Sequence, residues 1–250
     1  MEPGNEWPQI SAWRSAQRAA LIARRVALPL AQRREWNAAI SACLESCFPQ
    51  LAGMTIGFCW PYRGEFDARF AIRYFRDRGA TAALPAVVEK AGALQFRKWW
   101  PGAPLTPGVL AIPVPDGTAR VVPDAAIVPM VGFDERGYRL GYGGGYFDAT
   151  LAAIAPRPLA IGVSFEFSRL ATIYPRPHDI AMGFVLTEAG VHAVSNAGLA
   201  RITPEECRAR GQCLCTERGL PRPSAAGGYS SPPCYAGEFP GYFGETQEKD

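Results

Sequence analysis

Short, largely apolar runs alternate with helix-like segments along most of this chain, and that alternation is what most restricts its fold. Runs of this length between Gly and Pro residues are typical of buried strands. Strands that are apolar on both faces belong in a mainly parallel sheet that is covered on both sides by helices. We therefore predict a three-layer α/β/α fold with a mainly parallel central sheet. The predicted strands are 54–60, 81–88, 94–99, 125–131, 159–165 and 184–187, and the predicted helices are 11–28, 32–47, 66–78 and 146–155.

Composition excludes several classes of protein. Hydrophobic residues make up 48% of the 250 residues, far too many for a wholly disordered chain and enough for one large domain or two small ones. The formal net charge of +3 gives no indication of a nucleic-acid surface. No apolar run approaches the roughly 18 residues of a membrane span, and the polar start, 1–13, has no signal-peptide segment. We expect a cytoplasmic monomer that binds neither nucleic acid nor membrane.

The composition changes near residue 200, where aliphatic residues become scarce. We predict an α/β domain over 1–200 and a Cys-, Pro- and Gly-rich extension over 201–250 outside the core. Its aromatic and proline patch at 231–243 is either a docking peptide for a protein partner or a segment that folds back on the domain. The total of seven cysteines fits reduced thiols better than a disulfide framework. Four cysteines lie in the extension, without the C-x₂-C spacing of common zinc sites: Cys207, Cys213, Cys215 and Cys234.

The most informative segment is IVPMVGFDERGYRLGYGGGYFD, residues 127–148. A strand leads into a turn, Arg139 follows, four glycines stand among residues 141–145, and a helix is predicted directly after them. Glycines let the backbone point its amides at an anion, and a helix N-terminus adds a positive dipole end. The arginine adds a charge that can fork onto phosphate oxygens. These features predict a phosphate-binding site, and the alternative is a surface turn without a ligand.

The spacing excludes better-known loops. No Lys follows the glycines, so the segment is not a P-loop. Tyr146 stands where the third glycine of a dinucleotide fingerprint would be. No G-x-S-x-G motif occurs anywhere in the chain, which disfavours a serine hydrolase.

Two carboxylates are candidates for a magnesium site beside the phosphates. Asp148 lies in the first turn of the predicted helix, and Asp179 follows Pro177 and His178. Mg²⁺ takes one or two carboxylates together with substrate oxygens. The alternatives are charge complementarity at the helix end for Asp148 and a local turn for Asp179. The two histidines, His178 and His192, have no neighbours with metal-site spacing.

Further candidates lie upstream of the glycine segment. Trp60 ends the first predicted strand and Glu65 follows it, at the carboxyl end where open α/β sheets bind ligands. Glu65 either begins the next helix or holds a polar group of a substrate. Arg14 and Arg18 share one helical face, which is either solvated or in contact with phosphate.

Together these segments resemble the 5-formyltetrahydrofolate cyclo-ligase family, whose members are also named 5,10-methenyltetrahydrofolate synthetase. The strongest match is VPMVGFDERGYRLGYGGGYFD, whose family form is P-G-x-[GA]-F-D…G-x-R-L-G-x-G-x-G-Y-Y-D. The resemblance extends over 10–192 and implies a Rossmann-like fold of the CoA-transferase and isomerase type. Weaker matches occur in the family's order at Arg14-x-x-x-Arg18 with a later Arg24, Glu65-x-Asp67, Leu84-Pro85, Pro177-His178-Asp179 and Thr187-Glu188.

The resemblance implies an ATP- and Mg²⁺-dependent reaction. The formyl oxygen of 5-formyltetrahydrofolate would attack the γ-phosphate of ATP, and N10 would then close the ring. The products would be 5,10-methenyltetrahydrofolate, ADP and phosphate.

The resemblance also implies a role for each matching residue. Arg139 and Tyr146 would take part in catalysis, while Asp148 and Asp179 would bind Mg²⁺. Glu65 would hold the pterin. ATP would contact Arg14, Arg18, Arg139, Leu140, Gly141, Tyr142, Gly143, Gly144, Gly145, Tyr146 and Phe147. The folate would contact Trp60, Glu65, Tyr142, Gly143, Gly144, Gly145 and Tyr146.

Three residues depart from the family's pattern. Phe147 stands where Tyr is usual, so a hydroxyl is lost and the ring remains. Val114 stands where Glu is frequent, and Gly183 where a second Asp is common. Two other functions stay open, an ATP-dependent kinase or phosphotransferase acting on another small molecule and a non-catalytic regulator that binds folate or nucleotide.

Overall fold

The structure, a computed structural model, describes residues 7–221. These residues form five α-helices and fourteen strands, and none of these helices has the length and apolar character needed to cross a bilayer. The helices are α1 (Trp7–Val26), α2 (Leu30–Cys47), α3 (Arg69–Arg76), α4 (Tyr146–Ala153) and α5 (Pro204–Glu217). The strands are β1 (Thr55–Phe58), β2 (Thr81–Ala86), β3 (Gln95–Trp99), β4 (Leu105–Pro107), β5 (Pro113–Pro115), β6 (Arg120–Val121), β7 (Ala125–Pro129), β8 (Gly132–Asp134), β9 (Arg139–Leu140), β10 (Leu159–Val163), β11 (Arg169–Leu170), β12 (Phe184–Thr187), β13 (Gly190–Ser195) and β14 (Gly198–Arg201).

Nine strands form the central sheet, in the order β14-β13-β12-β10-β7-β1-β2-β3-β6. The five strands from β12 to β2 run parallel. Antiparallel pairs extend the sheet through β13 and β14 at one edge and through β3 and β6 at the other. The chain passes from β1 to β2 on one side and from β7 to β10 on the other, so the strand order reverses between β1 and β7. Open α/β sheets bind ligands at the carboxyl ends of their strands beside such a reversal.

Alternate residues of the central strands pack on opposite faces of the sheet. Ile127 of β7 and Ile161 of β10 lie on one face, in the core that α2, α3 and α5 complete. Val128 and Val185 lie on the other face, where Leu151 of α4 packs against them. The predicted three-layer fold with a mainly parallel sheet is therefore confirmed.

The predicted elements match the observed ones at their centres and differ at their ends. The helix predicted over 66–78 begins only at Arg69, because the preceding turn is held by Asp67. That carboxylate accepts hydrogen bonds from the backbone N–H of Arg69 at 3.1 Å and from its guanidinium at 2.7 and 2.8 Å. The strand predicted over 54–60 is β1, which ends before Cys59 and leaves Trp60 in the loop that follows.

Of the antiparallel strands of the central sheet, β3 matches the strand predicted over 94–99, whereas β6, β13 and β14 were not predicted. Strands β13 and β14 mix glycine, polar and small residues, so neither has the continuous apolar run that marks the parallel strands. The segment 101–123, for which we predicted neither strand nor helix, contains the hairpin of β4 with β5 and the two-residue strand β6. Short strands of this kind carry too little periodicity to be recognised.

The core continues past the boundary predicted at residue 200. Strand β14 ends at Arg201, and α5 then packs against α2 and buries Cys207 and Cys215. Thr203 caps α5: its hydroxyl accepts from the backbone N–H of Glu206, whose side chain accepts from the backbone N–H of Thr203. Residues 201–221 are thus packed on the α/β domain. Cys234 and the patch at 231–243 lie outside the described residues.

Helix α1 stands apart from the central sheet and covers a smaller one. This sheet has the order β11-β8-β9. Leu21 of α1 packs in an apolar cluster with Val131, Leu140 and Ile173. Because α1 is held over β9, it lies beside the segment that leads into the glycines.

We expect the packing of α5 to be required for stability. A chain that ends after Ile202 would expose the face of α2 that α5 covers, and should lose roughly 3–5 kcal/mol of unfolding free energy relative to a chain that ends after Pro221. Urea denaturation of the two truncated chains measures the difference. Equal urea-denaturation midpoints for the two chains would instead support the domain boundary predicted at residue 200.

Candidate functional site

A cleft of about 440 Å³ opens at the carboxyl ends of β1, β2 and β7, beside the reversal of strand order. Its walls come from α1, the loop after β1, the β4–β5 hairpin, the glycine segment and residues 176–179. The structure brings every candidate residue from the sequence into this one cleft: Arg14, Arg18, Trp60, Glu65, Arg139, Leu140, Gly141, Tyr142, Gly143, Gly144, Gly145, Tyr146, Phe147, Asp148 and Asp179.

A buried aspartate shapes the hairpin that carries Arg139. Asp134 is fully buried, and its Oδ1 accepts hydrogen bonds from the backbone N–H groups of Arg136 and Tyr138, both at 3.0 Å. Its Oδ2 accepts from the backbone N–H of Ile173 at 3.1 Å. The carboxylate therefore fixes the turn between β8 and β9 and ties it to the segment that leads to Asp179.

The glycine segment adopts backbone angles that favour glycine. Gly143 has φ of 96°, and Gly145, the residue before α4, has φ of 68°. A Cβ on Gly144 would lie 2.5 Å from the ring of Tyr146. The chain thus turns sharply into α4 with little room for side chains, so the backbone itself faces the cleft.

Two arginines of α1 lie at the cleft and not on a solvated face. Arg14 donates to the carbonyls of Ile173 and Tyr174 and to Oδ2 of Asp179, all within 2.9 Å. Arg18 donates from Nε to the carbonyl of Gly141 at 2.6 Å. Burial lowers the pKa of Arg18, and the like charge of Arg14 lowers it further. Two guanidiniums held together in this way favour an anion between them.

Arg139 is held inside the cleft, where its side chain is 5% exposed. It donates to the carbonyl of Ile180 at 2.8 Å and pairs with Oδ1 of Asp148 at 2.7 Å. Burial lowers the pKa of Arg139, and the charge of Asp148 opposes that effect. A guanidinium stays protonated even so, which makes this a fixed positive charge at the loop.

Both candidate carboxylates are engaged with arginines. Asp148 also accepts from the backbone N–H of Ile180 at 2.9 Å, and Asp179 accepts from the backbone N–H of Arg176 at 2.8 Å. Burial opposes ionisation of Asp179, but its hydrogen bonds and the charge of Arg14 outweigh burial and lower its pKa. Within residues 7–221, no group of three or more His, Cys, Asp or Glu side chains is arranged to hold a metal ion.

The other half of the cleft contains a buried carboxylate and aromatic rings. Glu65 is 6% exposed, and its Oε2 accepts from the backbone N–H of Tyr62 at 3.1 Å. Its Oε1 accepts from the hydroxyl of Tyr142 at 3.0 Å. Burial raises the pKa of Glu65, while the charge of Arg25 opposes the shift. Trp60 borders the same space, with the Arg69 guanidinium 4.6 Å from its ring centre.

Some candidates contribute little through their side chains. Leu140 is 1% exposed and packs in the cluster beneath α1, so mainly its backbone is available to a ligand. Phe147 packs against the core on the α4 side, with the Arg139 guanidinium 6.0 Å from its ring centre. Two of the residues that depart from the family's pattern lie in different places. Val114 lies in the cleft wall, whereas the backbone N–H of Gly183 donates a hydrogen bond to the carbonyl of Ala160 in the sheet.

Sequence reasoning missed three contributions to the cleft. Arg176 and His178 line it beside Asp179, and the tip of the β4–β5 hairpin adds the exposed side chains of Val109 and Leu110. Arg25 is buried behind Glu65. The sequence signal for Arg25 is its position four residues after the buried Leu21. A charged residue on the packed face of a helix needs a partner.

The arrangement combines two kinds of surface. One end presents three guanidiniums around a tight glycine turn, which can bind a polyphosphate. The other end presents a single buried carboxylate between apolar and aromatic walls, which can accept N–H groups of a flat, largely apolar ring. A ligand pair that reacts where the two ends meet fits this cleft.

Comparison with known proteins identifies relatives. The model of the 5-formyltetrahydrofolate cyclo-ligase family matches residues 10–188. The chain is 30% identical over 182 residues to the 5-formyltetrahydrofolate cyclo-ligase of Mycolicibacterium smegmatis, covering 70% of this chain and 93% of that protein. It is 33% identical over 134 residues to the Escherichia coli K12 protein of the same name, covering 51% and 74%.

Solved structures show the same similarity. The 5,10-methenyltetrahydrofolate synthetase of Aquifex aeolicus has 26% identity and a TM-score of 0.62, over 73% of this chain and 93% of that one. The synthetase of the same name from Mycoplasma pneumoniae has 21% identity and a TM-score of 0.57, over 70% and 98%, and supports the shared fold. The family resemblance drawn from the sequence is confirmed.

We expect Asp134 to be essential to the hairpin. In Asp134→Asn an amide N–H₂ replaces an oxygen that accepts from backbone N–H groups, which should lower the unfolding free energy by about 2 kcal/mol. Urea denaturation measures the change. The exposed Asp116→Asn is the matched control, expected to stay within about 0.5 kcal/mol of the unaltered chain. Equal losses in both variants would contradict this role for Asp134.

Proposed function

Because the chain belongs to the 5-formyltetrahydrofolate cyclo-ligase family, we propose that it catalyses the ATP-dependent conversion of 5-formyltetrahydrofolate to 5,10-methenyltetrahydrofolate. One observation carries the proposal: a glycine turn surrounded by three arginines shares a single cleft with the buried carboxylate of Glu65. The two ends match the two substrates, a polyphosphate and a ring system with N–H donors.

The arginine end is proposed to bind the triphosphate of ATP. Arg18 reaches the glycine turn from α1, Arg14 lines the same cleft beside Asp179, and Arg139 extends into it from β9. The backbone of 141–145 would add amide donors, with the rings of Tyr142, Tyr146 and Phe147 beside it. We propose Arg139 as the fixed charge that stabilises the transferring phosphoryl group.

The carboxylate end is proposed to bind the reduced folate. A 2-amino-4-oxo pterin has adjacent N–H groups that a carboxylate can accept in pairs, and Glu65 is the acid buried at that end. Trp60 would lie beside the pterin. The glycines and Tyr146 would border both substrates, which is where we propose that the reaction occurs.

The proposed reaction has two steps. The formyl oxygen on N5 attacks the γ-phosphorus of ATP, and the bond to the bridging oxygen breaks, so that ADP leaves with the electron pair. N10 then attacks the formyl carbon, the carbon–oxygen bond breaks as phosphate leaves, and the N10 proton is released. Because in-line phosphoryl transfer leaves little covalent chemistry to the protein, its task is placement and charge stabilisation.

Asp148 and Asp179 are the residues proposed to hold Mg²⁺. Carboxylates fit this ion, which takes one or two of them together with phosphate oxygens. Arg139 occupies Oδ1 of Asp148, and no residue of 7–221 donates a hydrogen bond to Oδ2. When bound, the ion supplies positive charge that neutralises the triphosphate.

All residues assigned to this reaction come from one cleft of one chain. We therefore propose that the enzyme acts as a monomer on small molecules. Its cytoplasmic location and a partner-binding role for the patch at 231–243 stay predictions from the sequence.

The purified chain should convert 5-formyltetrahydrofolate when supplied with ATP and Mg²⁺. Near-ultraviolet absorbance of the methenyl product follows the reaction, and omitting ATP or chelating the metal should each abolish the signal. ATP binding without product would instead favour a kinase or phosphotransferase acting on another small molecule.

Arg139→Ala should lower turnover by roughly 10²–10³, the loss typical of removing a preorganised donor from a developing charge. The same absorbance assay at saturating substrates measures it. Arg136→Ala is the control, because that arginine is exposed on the same hairpin, 5.4 Å from the Tyr138 ring centre. An unchanged rate in Arg139→Ala would remove Arg139 from the mechanism.

A further inference from the structure

A buried arginine that the sequence pattern did not single out contacts the pterin end of the cleft from behind. Arg25 lies in the last turn of α1, and its side chain is 3% exposed. Its Nε donates to the carbonyl of Arg63 at 3.0 Å. One terminal nitrogen donates to the hydroxyl of Tyr142 at 2.6 Å and lies 3.5 Å from Oε1 of Glu65.

Tyr142 connects the arginine to the carboxylate. Its hydroxyl accepts from Arg25 and donates to Oε1 of Glu65 at 3.0 Å. Burial and the charge of Glu65 raise the pKa of this phenol, so it keeps the proton that it donates. Arg25, Tyr142 and Glu65 therefore form a chain of hydrogen bonds from three separate segments.

The burial of Arg25 needs compensation, and Glu65 supplies it. A guanidinium removed from water is costly unless an anion or several acceptors meet it. Glu65 is the acid paired with Arg25 among the described residues, and its side chain is 4% exposed. The attraction between the two opposite charges offsets part of the cost of burying each of them.

The placement on α1 separates Arg25 from the phosphate-binding arginines. Residues 14, 18 and 25 fall on one face of the helix, and eleven residues correspond to about 16 Å along the axis. Arg18 bonds to the backbone of the glycine turn and Arg14 to Asp179. Arg25 instead meets the side chains of Tyr142 and Glu65.

Resting on the proposed function, we propose that Arg25 is a positioning residue for the reduced folate. Its guanidinium favours the ionised carboxylate of Glu65 and fixes the orientation of that carboxylate at the cleft, directly and through the hydroxyl of Tyr142. The carboxylate then presents a fixed pair of acceptors to the neighbouring N–H donors of a pterin. Arg25 itself does not touch the nucleotide.

The groups that face Glu65 fix the sign of the pH dependence. They are Arg25 from α1, the backbone N–H of Tyr62, the hydroxyl of Tyr142 and the thiol of Cys59. Burial raises the pKa of that thiol, and the charge of Glu65 raises it further, so the thiol stays neutral. Burial raises the pKa of Glu65, while Arg25 holds it down. Loss of Arg25 therefore raises that pKa further, and the carboxylate takes up its proton at a higher pH.

The test compares KM for each substrate across pH in Arg25→Gln, Arg25→Lys and Arg24→Gln. We expect Arg25→Gln to raise KM for 5-formyltetrahydrofolate by roughly 30-fold or more at pH 7, the scale of losing one partner of a buried charge pair. KM for ATP should change less than about two-fold, because no phosphate contact is lost. The pH below which KM for the folate rises should move upward by about one unit.

Two further variants separate positioning from general packing. Arg25→Lys keeps the charge and should retain a pH profile close to that of the unaltered enzyme. Arg24→Gln is the matched control, since Arg24 is exposed and its guanidinium lies 4.5 Å from the ring centre of Phe167. It should leave both KM values unchanged.

Equal increases in the two KM values, or an unshifted pH profile in Arg25→Gln, would overturn the inference while leaving the proposed function intact. If Arg25→Gln does not fold, Tyr142→Phe replaces it, because that variant removes the connecting hydroxyl and keeps the ring. Tyr142→Phe should shift the folate pH profile in the same direction, and an unshifted profile would likewise overturn the inference. An unaltered chain without turnover would instead overturn the proposed function and this inference together.

Discussion

Buried positive charge is the constraint on which the cleft depends. Each guanidinium there remains protonated, and burying it without an acceptor would cost several kcal/mol. Each one is therefore tied to an acceptor on another segment of the chain. The pairs are Arg14 with Asp179, Arg18 with the carbonyl of Gly141, Arg25 with Glu65, and Arg139 with Asp148. The contacts that would meet the substrates also hold α1, the glycine turn and the segment before β12 together.

The central sheet provides the fixed frame for these charges. Its parallel strands end on one side at the point where the strand order reverses, and the loops after β1, β2 and β7 open there. The sheet itself contributes few polar groups to the cleft. Chemistry therefore resides in loops and in α1, while the apolar core on both faces of the sheet keeps the loop ends in place.

Much of this was predictable from the sequence, and the remainder has physical reasons. Buried parallel strands are apolar throughout, and the segment 127–148 combines a strand, a turn, glycines and a helix start in one short run, so both could be recognised. The edge strands β13 and β14 and helix α5 could not be predicted, because their residues are mixed in polarity and their partners are distant in sequence. The pairing of Arg25 with Glu65 could not be predicted either, because forty residues separate the two and only the fold brings them together.

Helix α1 touches both ends of the cleft with one continuous rod of backbone. Because the helix is continuous, a tilt or slide of α1 at Gly141, where we propose that the nucleotide binds, would also move the guanidinium beside Glu65. Binding of a ligand at one end of the cleft would then change the affinity for a ligand at the other end. Thermodynamic reciprocity requires each ligand to change the affinity for the other by the same factor. If the two ends bind the two substrates as we propose, the spacing of three arginines along a single helix would make that binding cooperative.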